Sequence, residues 1–414
     1  MKKKIFVRGP VLSQSGYGEQ ARFALRALKS REDLFDIYIQ AIPWGQTGWV
    51  WQKNEMRKWV DERITTTQVL LQQKKLQPDI SLQITIPNEF QKICPINMGY
   101  TAGIETTKVS SAWLQKGNEM DKILVVSNHA KDTYTKTTVS ATNSQTGEVV
   151  PYKLDTPVEV VWESTPRADP EEIPGFKLDY DFNFVMISQL SPRKNFQNAL
   201  RWWVEEFIDQ EVGLVVKANI KSNSISDYAH LEPSIQNLLS KYPERKCKVY
   251  LLHGDLSSGQ MTGLYTNSKI KAMINIAHGE GFGLPLFEAA REGLPIVTVA
   301  FSGQVDFLAD ENGNNFQEVD FKVETIQPEA VWDGVLQKDS MWAYADQGSY
   351  KMALRKTYKS YEEAKEKAQF AKQHIEANFN DEKLYEGFVK AVYGEQIDVD
   401  EWLKELEEDF VEQG

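Results

Sequence analysis

The chain is 414 residues long, 41% hydrophobic, 26% charged and 11% aromatic, with a formal charge of -12, which excludes a disordered chain, a collagen-like fibre and a low-complexity tract. A single core stops growing at about 250 to 300 residues, so two domains with a cleft between them are expected. Cys94 and Cys247 form neither a disulfide framework nor a metal pair, and no apolar run reaches the roughly 18 residues of a membrane span, so a cytoplasmic protein is expected. The charge is uneven: residues 1–165 hold 21 Lys+Arg against 17 Asp+Glu, residues 166–394 hold 25 against 33, and residues 395–414 hold 1 against 9. An overall negative charge therefore does not argue against an anionic ligand.

Along the chain, Ile5 to Arg8 reads as a buried strand, followed by a Gly-containing loop and a helix carrying Ala21, Leu25 and Leu28. Further short β-rich runs fall at 35–40, 80–84, 96–100, 123–126 and 158–162, with helices around 54–62, 110–117 and 128–135. Residues 137–154 suggest an inserted hairpin around Asn143 to Gly147, and Glu163 to Gly175, with Pro166, Pro170 and Pro174, reads as a linker. The alternation restarts with strands at 184–187, 212–216, 249–252, 272–276 and 296–299 and helices at about 195–209, 226–241, 257–266 and 285–292. A long helical region follows from Tyr350 to Tyr393, then an acidic amphipathic tail with Trp402, Leu403, Leu406 and Phe410. The expected fold class is α/β: two doubly wound, Rossmann-like domains facing a cleft, with ligands at the carboxyl ends of the strands. The expected domains are 1–165 on the acceptor side, 166–375 on the donor side, and 376–414 as C-terminal helices and tail that can cross back to the first domain.

The most informative segment runs Ala277-His-Gly-Glu280-Gly281-Phe282-Gly283-Leu284-Pro285-Leu-Phe-Glu288. A Gly-rich turn leaves a strand and Pro285 starts a helix, so the amides of Gly283 and Leu284 and the helix dipole form an anion seat. Glu280 and Glu288 then reach different parts of one extended ligand. A carboxylate beside a phosphate seat is unfavourable unless it accepts hydrogen bonds from ligand hydroxyls, which suits a sugar and a ribose joined by phosphates.

This string resembles the Glu-x7-Glu signature of the retaining, family 4 (group 1) glycosyltransferases of GT-B architecture, as do Gly293-Leu-Pro-Ile-Val and Ser302-Gly303 downstream. The resemblance implies that Glu280 holds sugar hydroxyls and Glu288 the ribose of a nucleotide sugar. It also implies that Lys194 binds the donor diphosphate; Gln189 stands where the family has Arg, and adjacent Arg193 is the candidate second cation. Gly16-Tyr-Gly18 corresponds to a glycine loop that approaches the donor. Glu105, in Tyr100-Thr-Ala-Gly-Ile-Glu105-Thr-Thr, is a catalytic or acceptor-side candidate where many relatives carry a His; His129 is a weaker one. His278 and His253 are further residues that could line the cleft. Trp44, Trp49 and Trp51 are candidate acceptor platforms, because aromatic faces stack on sugars and bases; a loop folded onto its own aromatic core is the alternative.

Five scattered histidines show no ligand spacing, and Asp179-Tyr-Asp181 and Asp398-Val-Asp400 read as acidic surface, so no metal is expected. The expected activity is metal-independent, retaining transfer from a UDP, GDP or ADP sugar, with no cofactor beyond that co-substrate. The expected acceptor is a saccharide, with a modified nucleic-acid base kept open. The alternatives are a non-catalytic nucleotide-sugar-binding module and, because Gly16-x-Gly18-x-x-Ala21 is a loose dinucleotide fingerprint, an NAD-type dehydrogenase.

Overall fold

The computed structural model describes residues 2–142 and 147–394. Residues 143–146 of the expected turn, the acidic tail with its four apolar residues, and Asp398-Val-Asp400 lie outside the described residues.

Six strands build the first sheet: β1 (Lys3–Gly9), β2 (Phe35–Ala41), β3 (Ile80–Ile84), β4 (Ile96–Thr101), β5 (Lys122–Val125) and β6 (Val158–Val160). They are all parallel, in the order β2-β1-β3-β4-β5-β6. Every residue of β3 is buried, because helices cover both faces of a parallel sheet and its central strands meet no water. The second sheet holds β7 (Asn183–Gln189), β8 (Gly213–Asn219), β9 (Lys248–Leu252), β10 (Ile270–Asn275), β11 (Ile296–Val299) and β12 (Gln317–Val319). It is also parallel, in the order β9-β8-β7-β10-β11-β12. This order reverses direction between β7 and β10, and a crevice opens at such a switch point.

The connecting helices are α1 (Gly16–Ser30), α2 (Glu55–Gln72), α3 (Ser111–Gly117), α4 (Asn128–Lys136), α5 (Phe196–Glu206), α6 (Ile225–Leu239), α7 (Ser258–Tyr265), α8 (Leu284–Arg291) and α9 (Val305–Leu308). Helix α2 runs ten residues past the expected end. The hydroxyls of Thr65, Thr66 and Thr67 donate to carbonyls four residues back, and Thr67 Oγ1 accepts the β2 amide of Ile39. The threonines that weigh against a helix locally are thus satisfied within it. The expected hairpin is present as Thr138–Thr142 against Val149–Lys153. The strand β12 and a second antiparallel hairpin, Phe321–Thr325 with Met341–Ala345, fall where no element was expected.

The long C-terminal helical region is three helices: α10 (Gln347–Lys359), α11 (Tyr361–Asn378) and α12 (Asp381–Tyr393), the last capped by the Asn380 side chain. Helix α12 packs on the first domain, where Phe388 lies 5.7 Å from Phe23 of α1 and 5.4 Å from Tyr100 of β4. Lys3 Nζ donates to the Tyr393 carbonyl at 2.7 Å, pinning the end of this crossing. The two domains also meet where Asp306 accepts hydrogen bonds from the Asn128 amide and the Trp162 indole, each at 2.8 Å. A further contact joins the Thr107 amide to the Met341 carbonyl at 2.9 Å. Among the described residues, no helix is long and apolar enough to cross a membrane.

Candidate active site

Strand β10 ends at Asn275, and the chain turns through residues 276–283 into α8, whose cap Gly283 has φ 97°. That left-handed conformation suits glycine. The other glycines of the turn permit close approach. A Cβ on Gly279 would stand 2.8 Å from the Glu105 carbonyl oxygen, and one on Gly281 2.9 Å from that of Ala102. Downstream, a Cβ on Gly303 would stand 1.9 Å from the Gly281 carbonyl oxygen. Residues 102–105 of the first domain therefore pack directly on the turn. Ser302 sits at φ 72° and its hydroxyl accepts the Glu280 amide at 2.8 Å, so a strained residue fixes this backbone.

Glu280 is the centre of an ion cluster. Its carboxylate accepts from Lys194 Nζ at 2.6 and 2.7 Å, Arg193 Nη1 at 2.9 Å and Asn275 Nδ2 at 3.0 Å. Arg193 Nε lies 3.1 Å from Glu105 Oε1, which ties the first domain to the cluster. Burial alone would raise the Glu280 pKa; Lys194 and Arg193, with hydrogen bonds from Lys194 and Asn275, outweigh it and bring it down to about 2. The 3-10 turn Pro192–Lys194 that presents both cations follows β7 at the switch point.

Two chambers flank the start of α8. One, of about 660 Å³, is lined by Tyr17, Gln20, Trp44, Glu105 and Glu163 of the first domain and by Arg193, Lys194 and Glu280–Pro285 of the second. The other, of about 740 Å³, is lined by Arg22, Arg26, Lys217, Asp255, Tyr265 and Glu288, among others. Ser15, Gly16, Ile187, Leu284 and Pro285 line both, so the chambers adjoin. Glu288 accepts a hydrogen bond from the Tyr265 hydroxyl at 2.8 Å. Its pKa is raised by burial, against the hydrogen bond from Tyr265 and the charge of Arg291.

The structure separates the other expected site residues. Gly16 faces open space, with nothing within 4 Å of an added Cβ, but a Cβ on Gly18 would stand 2.0 Å from the Ser13 carbonyl oxygen. Gly18 lines neither chamber and packs the loop before α1. Phe282 is wedged 5.5 Å from Phe287 and 5.0 Å from Phe307, yet reaches the chamber wall. Of the three indoles only Trp44 lines a chamber, its ring tilted against Tyr17 at 4.2 Å. Trp49 and Trp51 are 60% and 71% exposed and point away. Their segment is held extended by a Ser13–Trp49 bridge and by the Val50 amide bonding to Leu12, so alternate side chains face opposite sides and Val50 takes the inward position.

His129 lines neither chamber; its ring meets Phe301 edge-on at 5.2 Å, and burial lowers its pKa. His278 is buried, with Nδ1 2.6 Å from the Ala343 carbonyl and its ring stacked on Trp342, so it braces the second hairpin and not the cleft. His253 pairs with Asp227 at 3.1 Å, while its neighbours Gly254, Asp255 and Leu256 line the larger chamber. Asp179 pairs with Lys248 at the surface. Among the described residues, no group of three or more His, Cys, Asp or Glu is placed to hold a metal ion.

One further chamber residue, Glu163, lies at the start of the segment expected to be a linker. It is 4% exposed, lies three residues past the end of β6, and its Oε2 has no hydrogen-bond partner. Burial, reinforced by nearby Glu19 against the opposing charge of Arg26, pushes its pKa up to about 8. The sequence signal was a carboxylate just past a strand of the first sheet, at its carboxyl end.

No family model matches the chain. The serotype-specific mannosyltransferase WbdA of Escherichia coli is 30% identical over 118 residues, 28% of this chain and 13% of that protein, so the match spans about an eighth of the relative's length. Solved structures match over nearly the whole chain. Sucrose-phosphate synthase from Thermosynechococcus elongatus has a TM-score of 0.59 at 12% identity, covering 93% of this chain and 96% of that one. The E. coli trehalose-6-phosphate protein bound with UDP-2-fluoro glucose has a TM-score of 0.58 at 12% identity, covering 94% and 99%. HepE from Anabaena, in complex with UDP and glucose, has a TM-score of 0.56 at 11% identity, covering 94% and 99%. With its two parallel Rossmann-like sheets facing one cleft, the chain has the GT-B fold.

Proposed function

We propose that the chain is a glycosyltransferase that moves a sugar from a nucleotide-diphosphate sugar to an acceptor hydroxyl, with retained configuration and without a metal. The observation that carries this reading is the placement of Glu280, clamped by Arg193 and Lys194, and of Glu288 in adjoining chambers on either side of the α8 N-terminus. A donor diphosphate laid across that terminus would meet the first amides of α8 and two fixed cations, which stabilise charge as it departs. Glu288 would accept from the ribose hydroxyls and a Glu280 oxygen from the sugar. The bond from the anomeric carbon to the phosphate oxygen breaks, the acceptor oxygen bonds that carbon on the same face, and the acceptor proton passes to the departing phosphate.

The UDP, glucose and UDP-2-fluoro glucose named for the structural neighbours support a nucleotide-sugar donor, and the mannosyltransferase match supports glycosyl transfer. A direct assay with UDP-, GDP- and ADP-sugars selects the donor nucleotide; the proposed acceptor is a saccharide. Glu288→Ala tests the donor assignment. Calorimetry should show affinity for the preferred nucleotide falling about 10- to 100-fold, about 1.4–2.7 kcal/mol. Unchanged affinity for UDP, GDP and ADP alike would remove the assignment.

A further inference from the structure

The smaller chamber is asymmetric in charge. Its cations, Arg193, Lys194 and Lys221, all come from the second domain, whereas the first-domain wall contributes Glu105 and Glu163 and neither Lys nor Arg. The net positive charge of residues 1–165 is therefore not on this wall. Glu105 is already tied to Arg193, but Glu163 has an unpartnered Oε2. A buried polar group in that state costs stability unless a ligand satisfies it. On the same wall the Trp44 and Tyr17 rings lie 4.2 Å apart, tilted by 33°, and the Tyr17 hydroxyl is engaged with Thr101 Oγ1 at 2.7 Å. An apolar ring face beside a hydrogen-bonding carboxyl matches the apolar face and rim hydroxyls of a sugar ring.

We propose that Glu163 is the acceptor grip of this enzyme, bonding a hydroxyl of an uncharged saccharide whose ring lies against Trp44, and that the same wall rejects phosphorylated acceptors. This rests on the glycosyltransferase reading. With the second-domain cations engaged by the donor diphosphate, an acceptor phosphate would meet Glu105, Glu163 and no Lys or Arg on the first-domain wall. Glu163 is surrounded by Glu19 and Arg26 of α1, by the Tyr17 and Tyr100 hydroxyls, and across the chamber by Glu105, Arg193, Lys194 and Glu280. With its pKa near 8, it is mostly the neutral acid at pH 7, able to donate a hydrogen bond as well as accept one.

The test compares wild type, Glu163→Gln and Glu163→Ala in the full chain, using the nucleotide sugar that wild type turns over, with glucose, mannose, common disaccharides and the 6-phosphates of the two hexoses as acceptors. Glu163→Ala should raise the acceptor KM by about 10- to 100-fold, while the dissociation constant of the free nucleotide stays within about twofold. Wild type should show a decline in acceptor kcat/KM above about pH 8; Glu163→Gln should fall between the other two in KM and lack that decline. Glu163→Gln carries the test alone if the alanine variant does not fold. An unchanged acceptor KM in a folded variant, or a wild-type preference for 6-phosphates, overturns the proposal while leaving the transferase reading intact. Wild type that binds no nucleotide and turns over no donor overturns both.

Discussion

Glu280 shows how a charge can be buried because its partners are buried with it. Replacing it by Ala leaves Arg193 and Lys194 facing each other without their anion, so Glu280→Ala should cost about 3 kcal/mol in denaturant unfolding as well as turnover. Its depressed pKa gives the sign of the pH effect. The contribution is fully present above the ordinary value of 4.5, declines as pH falls toward about 2, and should vanish from the acid-unfolding profile of the variant. Glu288 behaves oppositely: burial raises its pKa, so the carboxylate that would accept ribose hydroxyls forms only as pH rises through that raised value. Nucleotide affinity should therefore strengthen from acid to neutral pH in wild type and lose that dependence in Glu288→Gln. The glutamate pair was legible in the sequence because its spacing, glycines and proline are local. Glu163 was not, because its burial arises from packing that joins Trp162 to Asp306 and Ser164 to Asp381, contacts more than 140 residues apart in sequence. Trp49 and Trp51 lie outside the chamber linings for a related reason: strand alternation, not composition, decides which way they point.

At the scale of elements, glycines in one sequence class do different jobs. Gly303→Ala would drive a methyl into the Gly281 carbonyl and displace the turn that carries Glu280; a loss of about 1–3 kcal/mol and of turnover is expected in thermal unfolding and assay. Gly16→Ala meets open space, so it should leave stability nearly unchanged. Equal effects of the two changes would show that backbone packing does not fix the turn. Strands and helices at the switch points were readable from periodicity. The extension of α2 was hidden by threonines that satisfy their hydroxyls inside the helix, and the break between α10 and α11 by helix-forming residues on both sides of Ser360, whereas Asn380 before α12 is an ordinary N-cap signal.

The whole molecule is two sheets whose carboxyl ends confront one another, held by the Asp306 contacts, the 102–105 segment against the glycine turn, and α12 crossing back to α1. Phe388 is fully buried in that crossing, and Phe388→Ala should destabilise the chain by about 3–5 kcal/mol, read by calorimetry or denaturant unfolding. Two domains and a cleft followed from chain length and alternation; the contacts that join the domains did not, because they depend on pairs brought together only by the fold. The most direct test of the central claim incubates wild type with UDP-, GDP- and ADP-sugars and saccharide acceptors, reading nucleotide release and the anomeric configuration of the product by NMR. The account predicts acceptor-dependent release from one donor class, a product with the donor's configuration, and loss of both in Glu280→Ala. A product of inverted configuration, or no acceptor-dependent release from any donor, would contradict it.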